Sequence, residues 1–302
     1  MYRLLLSGVA VAMLLLCIPM TWAVEVIHQE KSLYRNIVVK ESGDRRCLVF
    51  AVKRGDRNQT CMDVSDPNRV VFPYARMTFA GLLLNNNPGS VLVVGLGGGT
   101  IPTVLNQLYP EATIDVVEID DAVKRVAVSY FDFRESEQMK VYVIDARVFV
   151  KRALVRKQQY DMVILDAFTG DYIPEHLLTQ EFLQEVNRLL TPEGVLVANT
   201  FATSKLYDHE SVTYQSVFGQ FYNFKMKGLT GNRVIIANNK PPLPLKLLQD
   251  RANQLTGRFT RYGVNIEDYP KFLSTSADWD QKAKLLTDQF SPANLLRGDF
   301  FK

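Results

Sequence analysis

A glycine cluster and a row of acids spaced behind it are the residues of this chain best suited to chemistry. Gly95, Gly97, Gly98 and Gly99 follow the apolar run 91–94, and an amphipathic stretch and a second apolar run, 114–117, lead from them to Glu118. Strand, glycine turn, helix and a strand tipped by an acid make a βαβ nucleotide-binding unit. Without a Cβ, the glycines let the backbone turn sharply and approach a ligand closely. Glu118, about 20 residues beyond the loop, is spaced to accept hydrogen bonds from a ribose. The bland alternative is a crossover with a tight turn and no ligand; loop and acid occurring together at this interval argue against it.

Further apolar runs at 141–144, 161–165 and 195–198 end at Asp145, Asp166 and Asn199, so three of the five runs end in an acid. In doubly wound sheets ligands sit at the carboxyl ends of the strands, and such a row of acceptors suits a mononucleoside. Glu118 would take the ribose and Asp145 would lie near the base. The loop reads G-L-G-G-G-T, with Thr100 in place of the third glycine of the dinucleotide fingerprint and no Lys-Ser/Thr after it. It therefore fits neither a dinucleotide nor a phosphate loop. An acid-lined pocket suits a ligand without phosphates and favours a cation; S-adenosyl sulfonium compounds meet both conditions.

The elements that must position these residues alternate. Helical patterns at 101–109, 121–131, 146–156 and 179–190 fill the gaps between the apolar runs, and 191–195 reads as a turn before the fifth strand. The alternation predicts an α/β fold, a Rossmann-like, doubly wound, mostly parallel sheet. Runs at 221–227 and 232–237 predict a C-terminal antiparallel hairpin, and 245–256 one more helix. Residues 24–84 read as a small β-rich N-terminal region, with strands at 35–40 and 46–52, a turn over 53–59 and a helix over 73–84; the nucleotide-binding domain takes 85–302.

With 302 residues, 47% hydrophobic and 22% charged, the chain has the composition of a globular enzyme, and a formal charge of +3 argues against a nucleic-acid surface. Residues 1–23 carry one arginine, a long apolar run and Thr21-Trp22-Ala23. That is the layout of a cleaved export signal, placing the protein in the periplasm or outside; an uncleaved anchor through residues 4–20 is the competing reading. Removing the leader leaves Cys47 and Cys61, a pair able to form a disulfide in an oxidising compartment, against two buried thiols as the alternative. Two cysteines and the scattered His28, His176 and His209 show no zinc-ligand spacing, so no metal is expected.

The runs VLVVGLGGGT, VVEID, DAR-x-F, YDMVILDAF and EFLQEV, with LTDQFSPANLL near the end, resemble the spermidine synthase family of polyamine aminopropyltransferases, within the wider class I S-adenosylmethionine-dependent methyltransferase fold. The resemblance implies transfer of an aminopropyl group from decarboxylated S-adenosylmethionine to an amine, releasing methylthioadenosine, with Asp166 as the base. It implies donor binding by Gly95, Gly97, Gly99, Glu118, Asp145, Ala146 and Gln59. Tyr74 is implied in contact with the acceptor and Asp171 as a second amine ligand; a homodimer is usual in the family. The chain departs from the pattern at Thr100, where members carry Asp, at Arg76, where they carry an acid two residues after the tyrosine, and in the loop D-A-F-T-G-D. Losing acids lessens the pull on a polycation, so two alternatives stand beside the transferase. One is a methyltransferase using intact S-adenosylmethionine, and the other an exported, non-catalytic polyamine- or nucleoside-binding protein.

Overall fold

The structure, a computed structural model, describes residues 23–52, 55–168, 173–226, 228 and 231–290. Residues 1–22 of the leader, Asp171 and the last part of the C-terminal motif lie outside the described residues.

A small antiparallel sheet comes first, formed by β1 (Glu25–Lys31), β2 (Asn36–Ser42), β3 (Arg45–Val52) and β4 (Gly55–Asp63), each paired with its sequence neighbour. β2 and β3 are the apolar runs legible in the sequence. β1 is an edge strand with exposed and half-buried side chains, so it lacks the apolar alternation of a covered strand. The expected turn does not extend over 55–59, because β4 already begins at Gly55. Cys47 and Cys61 face each other across β3 and β4 and are joined as a disulfide, with Cα atoms 4.1 Å apart. In the chain-entropy account, closing a loop of this size stabilises the fold by about 3 kcal/mol.

The helix expected over 73–84 divides into α1 (Pro73–Thr78) and a 3-10 stretch, Phe79–Leu83. Pro73 opens α1, where its missing N–H leaves no helical hydrogen bond unmade. The main sheet follows: β5 (Ser90–Val94), α2 (Thr100–Leu108), β6 (Thr113–Glu118), α3 (Asp121–Tyr130), β7 (Met139–Val143), α4 (Ala146–Val155), β8 (Tyr160–Leu165), α5 (Gln180–Leu189) and β9 (Leu190–Phe201). The chain closes with α6 (Tyr207–Phe218), β10 (Tyr222–Phe224), β11 (Asn232–Ala237), α7 (Leu245–Phe259) and β12 (Leu273–Ser274). Strand order is β12-β10-β11-β9-β8-β5-β6-β7, with β5 to β9 parallel and β10, β11 and β12 joined antiparallel at one edge.

Both faces of this sheet are covered, which is why its strands are apolar throughout. Val91, Val93, Ile164 and Val197 pack with α2 and α7, while Leu92, Val94, Val163 and Leu196 pack with α4, α5 and α6. Asp120, Asp145 and Thr179 cap α3, α4 and α5 by accepting a backbone N–H from the first turn. The small sheet docks through α3, whose Val123 and Val126 pack on Ile37, Val39 and Leu48.

Two elements differ from the sequence reading. The expected turn at 191–195 lies within β9, where pairing jumps from Tyr160↔Leu190 to Met162↔Val195 and the residues between bulge outward. α6 has no apolar stripe in the sequence because it buries Glu210, Ser211 and Thr213 among its apolar residues. Those polar groups receive Arg233 of β11, which is fully buried. Its guanidinium donates to Thr200 (2.8 Å), Ser211 (2.6 Å) and Glu210 (3.1 Å) and lies 4.0 Å from the centre of the Tyr207 ring. A buried charge stripped of its partner is strongly destabilising. Glu210→Gln should therefore lower unfolding free energy by about 3 kcal/mol, measured by urea titration. The double replacement Glu210→Leu, Arg233→Met should cost less than the single one.

Candidate active site

The main sheet changes direction between β5 and β8: from β5 the chain builds outward through β6 and β7, then returns to place β8 and β9 on the other side. Ligands bind at such switch points. Here the two strand ends touch. The Asp166 N–H donates to the Val94 carbonyl (2.8 Å) and the Gly95 N–H to the Val117 carbonyl (2.8 Å). Gly95 has φ 104°, and a Cβ on it would lie 2.3 Å from the Asp166 carbonyl oxygen. A Cβ on Gly98 would lie 2.6 Å from the Thr60 methyl. The cluster expected to bring backbone to a ligand thus also lets the loop nest against β8 and the small sheet.

Asp166 leaves the sheet at this point and lines a narrow cleft. Asn199 Nδ2 donates to its Oδ1 (2.8 Å), and Asn232 Nδ2 donates in turn to Asn199 Oδ1 (3.0 Å). Burial pushes the Asp166 carboxyl up to about 7 against the opposing pull of the Asn199 amide. Across the cleft the Tyr74 hydroxyl donates to the Gln59 main-chain carbonyl (3.1 Å). Burial first, and the Asp166 charge second, hold the phenol well above its ordinary value, so it stays a protonated donor. The Thr60 and Thr100 hydroxyls stand 3.4 Å apart in the same wall.

Glu118 is buried behind the loop. Its Oε2 accepts from the Leu96 N–H (3.1 Å) and its Oε1 from the Asp120 N–H (3.0 Å). Burial raises its carboxyl, and the two amides and Arg35 oppose that. One strand further along, Asp145 Oδ1 accepts from the Val148 N–H (3.1 Å), and its Oδ2 lies 2.9 Å from His176 Nε2. Ala146 follows as the first, buried residue of α4. Gln59, Tyr74, Gly95, Gly97 and Asp166 therefore share one cleft, whereas Glu118, Asp145 and Ala146 continue the row of strand ends beside it. Gly99 is the residue just before α2 and lies close against the Phe133 ring, outside the cleft lining.

Several groups near the site carry no local sequence signal. Arg35, from the small sheet, stacks on Phe50 (4.3 Å), lies 3.6 Å from Asp120 and donates to the Phe168 carbonyl (3.4 Å). Ser32 donates to Asp120 (2.5 Å). Asn232 likewise lies far along the chain from Asp166. Among the described residues no group of His, Cys, Asp and Glu has the arrangement of a metal site.

Gly95→Ala tests the junction. The added methyl meets a main-chain oxygen at a φ that L residues avoid, so thermal and urea unfolding should show a loss of about 2 kcal/mol or more. An alanine variant as stable as the parent would mean that the two strand ends are free to separate.

The spermine/spermidine synthase domain matches residues 72–230. A protein of Vibrio vulnificus named polyamine aminopropyltransferase is 53% identical over 274 residues, covering 90% of this chain and 91% of that one. A human eEF1A lysine and N-terminal methyltransferase is 31% identical over 180 residues, 54% of this chain but 26% of its own. Among solved structures, a spermidine synthase in complex with the transition-state analogue AdoDATO aligns with a TM-score of 0.59 at 23% identity, over 76% of this chain and 78% of that one, a likeness of fold. With the domain matched across more than half of the sequence and a relative 53% identical along nine-tenths of both chains, the chain belongs to the spermine/spermidine synthase family.

Proposed function

We propose that the protein is an aminopropyltransferase that moves an aminopropyl group from decarboxylated S-adenosylmethionine to an amine acceptor. The observation that carries this reading is Asp166, a desolvated carboxylate pushed up to about 7 in the cleft at the sheet's switch point. An amine protonated at neutral pH is no nucleophile until a base of matched strength takes its proton. Asp166 accepts that proton, and the lone pair it frees on nitrogen then bonds to the aminopropyl carbon as the carbon–sulfur bond breaks and its electrons stay on sulfur, giving methylthioadenosine. Asn199 fixes one Asp166 oxygen and leaves the other free of it. The name of the Vibrio vulnificus relative supports the same reaction.

In this reading the glycine turn cradles the adenosyl group, with Glu118 at the ribose and Asp145 and Ala146 at the base. Gln59 and Tyr74 line the donor tail and the acceptor, and Asp171 is a second amine ligand. Export through residues 1–23 belongs to the same proposal and is supported by the Cys47–Cys61 bond, of a kind that persists in oxidising compartments.

Calorimetry with decarboxylated and intact S-adenosylmethionine and with methylthioadenosine, alongside turnover assays, tests the reaction. Preference for the intact donor would overturn it in favour of methyl transfer, and polyamine binding without any donor affinity in favour of a binding protein. Asp166→Asn should lower kcat about a hundred- to ten-thousandfold with donor affinity largely kept. In the parent, kcat/KM should rise as pH increases through about 7, since only the ionised carboxylate accepts the proton. Stability should run the other way. Native Asp166 binds its proton more tightly than the unfolded chain does, so its contribution falls as pH climbs from 3.8 to about 7. Asp166→Asn should accordingly melt above the parent at pH beyond 7 and lose that advantage toward pH 3.8, a reversal that thermal scans across pH would reveal.

A further inference from the structure

β3 and β4 pair residue for residue from Arg45↔Asp63 to Leu48↔Thr60, and pairing resumes at Val49↔Asn58. Gln59 is thus the extra residue of a β-bulge, a device that re-aims side chains and main-chain groups beside functional sites. The cross-linked pair Cys47↔Cys61 is the next pair along from Leu48↔Thr60. Three consecutive residues, Gln59, Thr60 and Cys61, form this part of the cleft wall. Gln59 offers its carbonyl to the Tyr74 hydroxyl, and Thr60 sets its hydroxyl near Thr100 and its methyl over Gly98. The half-cystines pack with Val71 and Phe72, which line the same cleft.

Among the described residues β4 is an edge strand, hydrogen-bonded to β3. A slip of one residue turns each side chain of a strand to the other face. Here the slip would withdraw the Gln59 carbonyl from Tyr74 and lift Thr60 off Gly98. Among the described residues no strand on the outer side of β4 opposes it; the covalent tie beside the bulge does. We propose that the Cys47–Cys61 disulfide is a positioning element of the cleft, pinning the bulged edge strand so that Gln59 and Thr60 stay in its wall. This role rests on the function proposed above, and it ties the affinity of the site to the redox state of one bond.

The test compares the oxidised full chain, the same protein reduced with dithiothreitol, and Cys47→Ala/Cys61→Ala. The dithiol supplies the two electrons and two protons that convert the bridge to thiols and becomes a cyclic disulfide itself. Reduction should raise the donor KM and weaken methylthioadenosine binding about tenfold, as small displacements of positioning groups do. The kcat at saturation should hold, because Asp166 and Asn199 stand on the main sheet. Hydrogen exchange in the segment 55–63 should speed up. A bond that only stabilised the fold would lower kcat with the folded fraction and leave KM alone. Unchanged KM, nucleoside affinity and exchange on reduction would overturn the positioning role. If the alanine pair does not fold, the reduced parent assayed below its melting temperature decides. If the oxidised protein transfers no group, the proposed reaction fails separately, and methylthioadenosine binding and exchange still report on the wall.

Discussion

Everything at the site follows from how closely two strand ends approach. At the switch point the backbone of Gly95 lies against that of Asp166 with no room for a side chain between them. That contact brings a mobile type of segment, a glycine turn, against a carboxylate that must sit at one depth. It also sets the orientation of the neighbours. β9 runs beside β8 and delivers Asn199, and β11, antiparallel to β9, delivers Asn232 behind it. The parallel strands make the turn, and the antiparallel edge makes the hydrogen-bond relay that holds the acid.

The small sheet completes what the large one begins. A carboxylate raised toward neutrality needs walls that keep water away from it. Gln59, Thr60 and the disulfide supply one wall, and Tyr74 and Phe72, from the connection between the sheets, supply another. The docking is apolar through α3 and polar through Arg35, Ser32 and Asp120. Asp120 caps α3 and accepts from Ser32 at once, so the helix that buries the interface is anchored by the residue that meets the small sheet.

Much of this was legible in the residues. Five apolar runs, three of them ending in an acid, with a glycine cluster and an acid at nucleotide-binding distance, were enough to find the parallel sheet and the row of groups along its edge. That success has a physical cause: strands buried on both faces are apolar throughout, and glycines forced by close packing cannot be replaced. Where polar groups are paired inside the fold, the signal fails. α6 hides because it buries Glu210 and Ser211 for Arg233, a residue of a strand far along the chain. β1 hides because an edge strand has little apolar face, and 191–195 read as a turn because the bulge in β9 uses turn-forming residues. Arg35 and Asn232 were invisible as site neighbours, since only the folded topology brings them there. The glycines carried a further ambiguity: the sequence shows that the backbone must approach something, and the structure shows that part of that something is the protein itself.

The two sheets also differ in how far apart their partners lie along the chain. In the small sheet every strand pairs with the next one, so its contacts are local. In the large sheet β5 must wait for β8, as Val91 pairs with Met162 only after three helical crossovers have been made. Local pairings form faster than distant ones, and the N-terminal segment is synthesised first. The wall of the cleft is therefore built before the acid it shields has a strand to stand on. The site assembles from its rim inward, with the carboxylate among the last groups to be taken out of water.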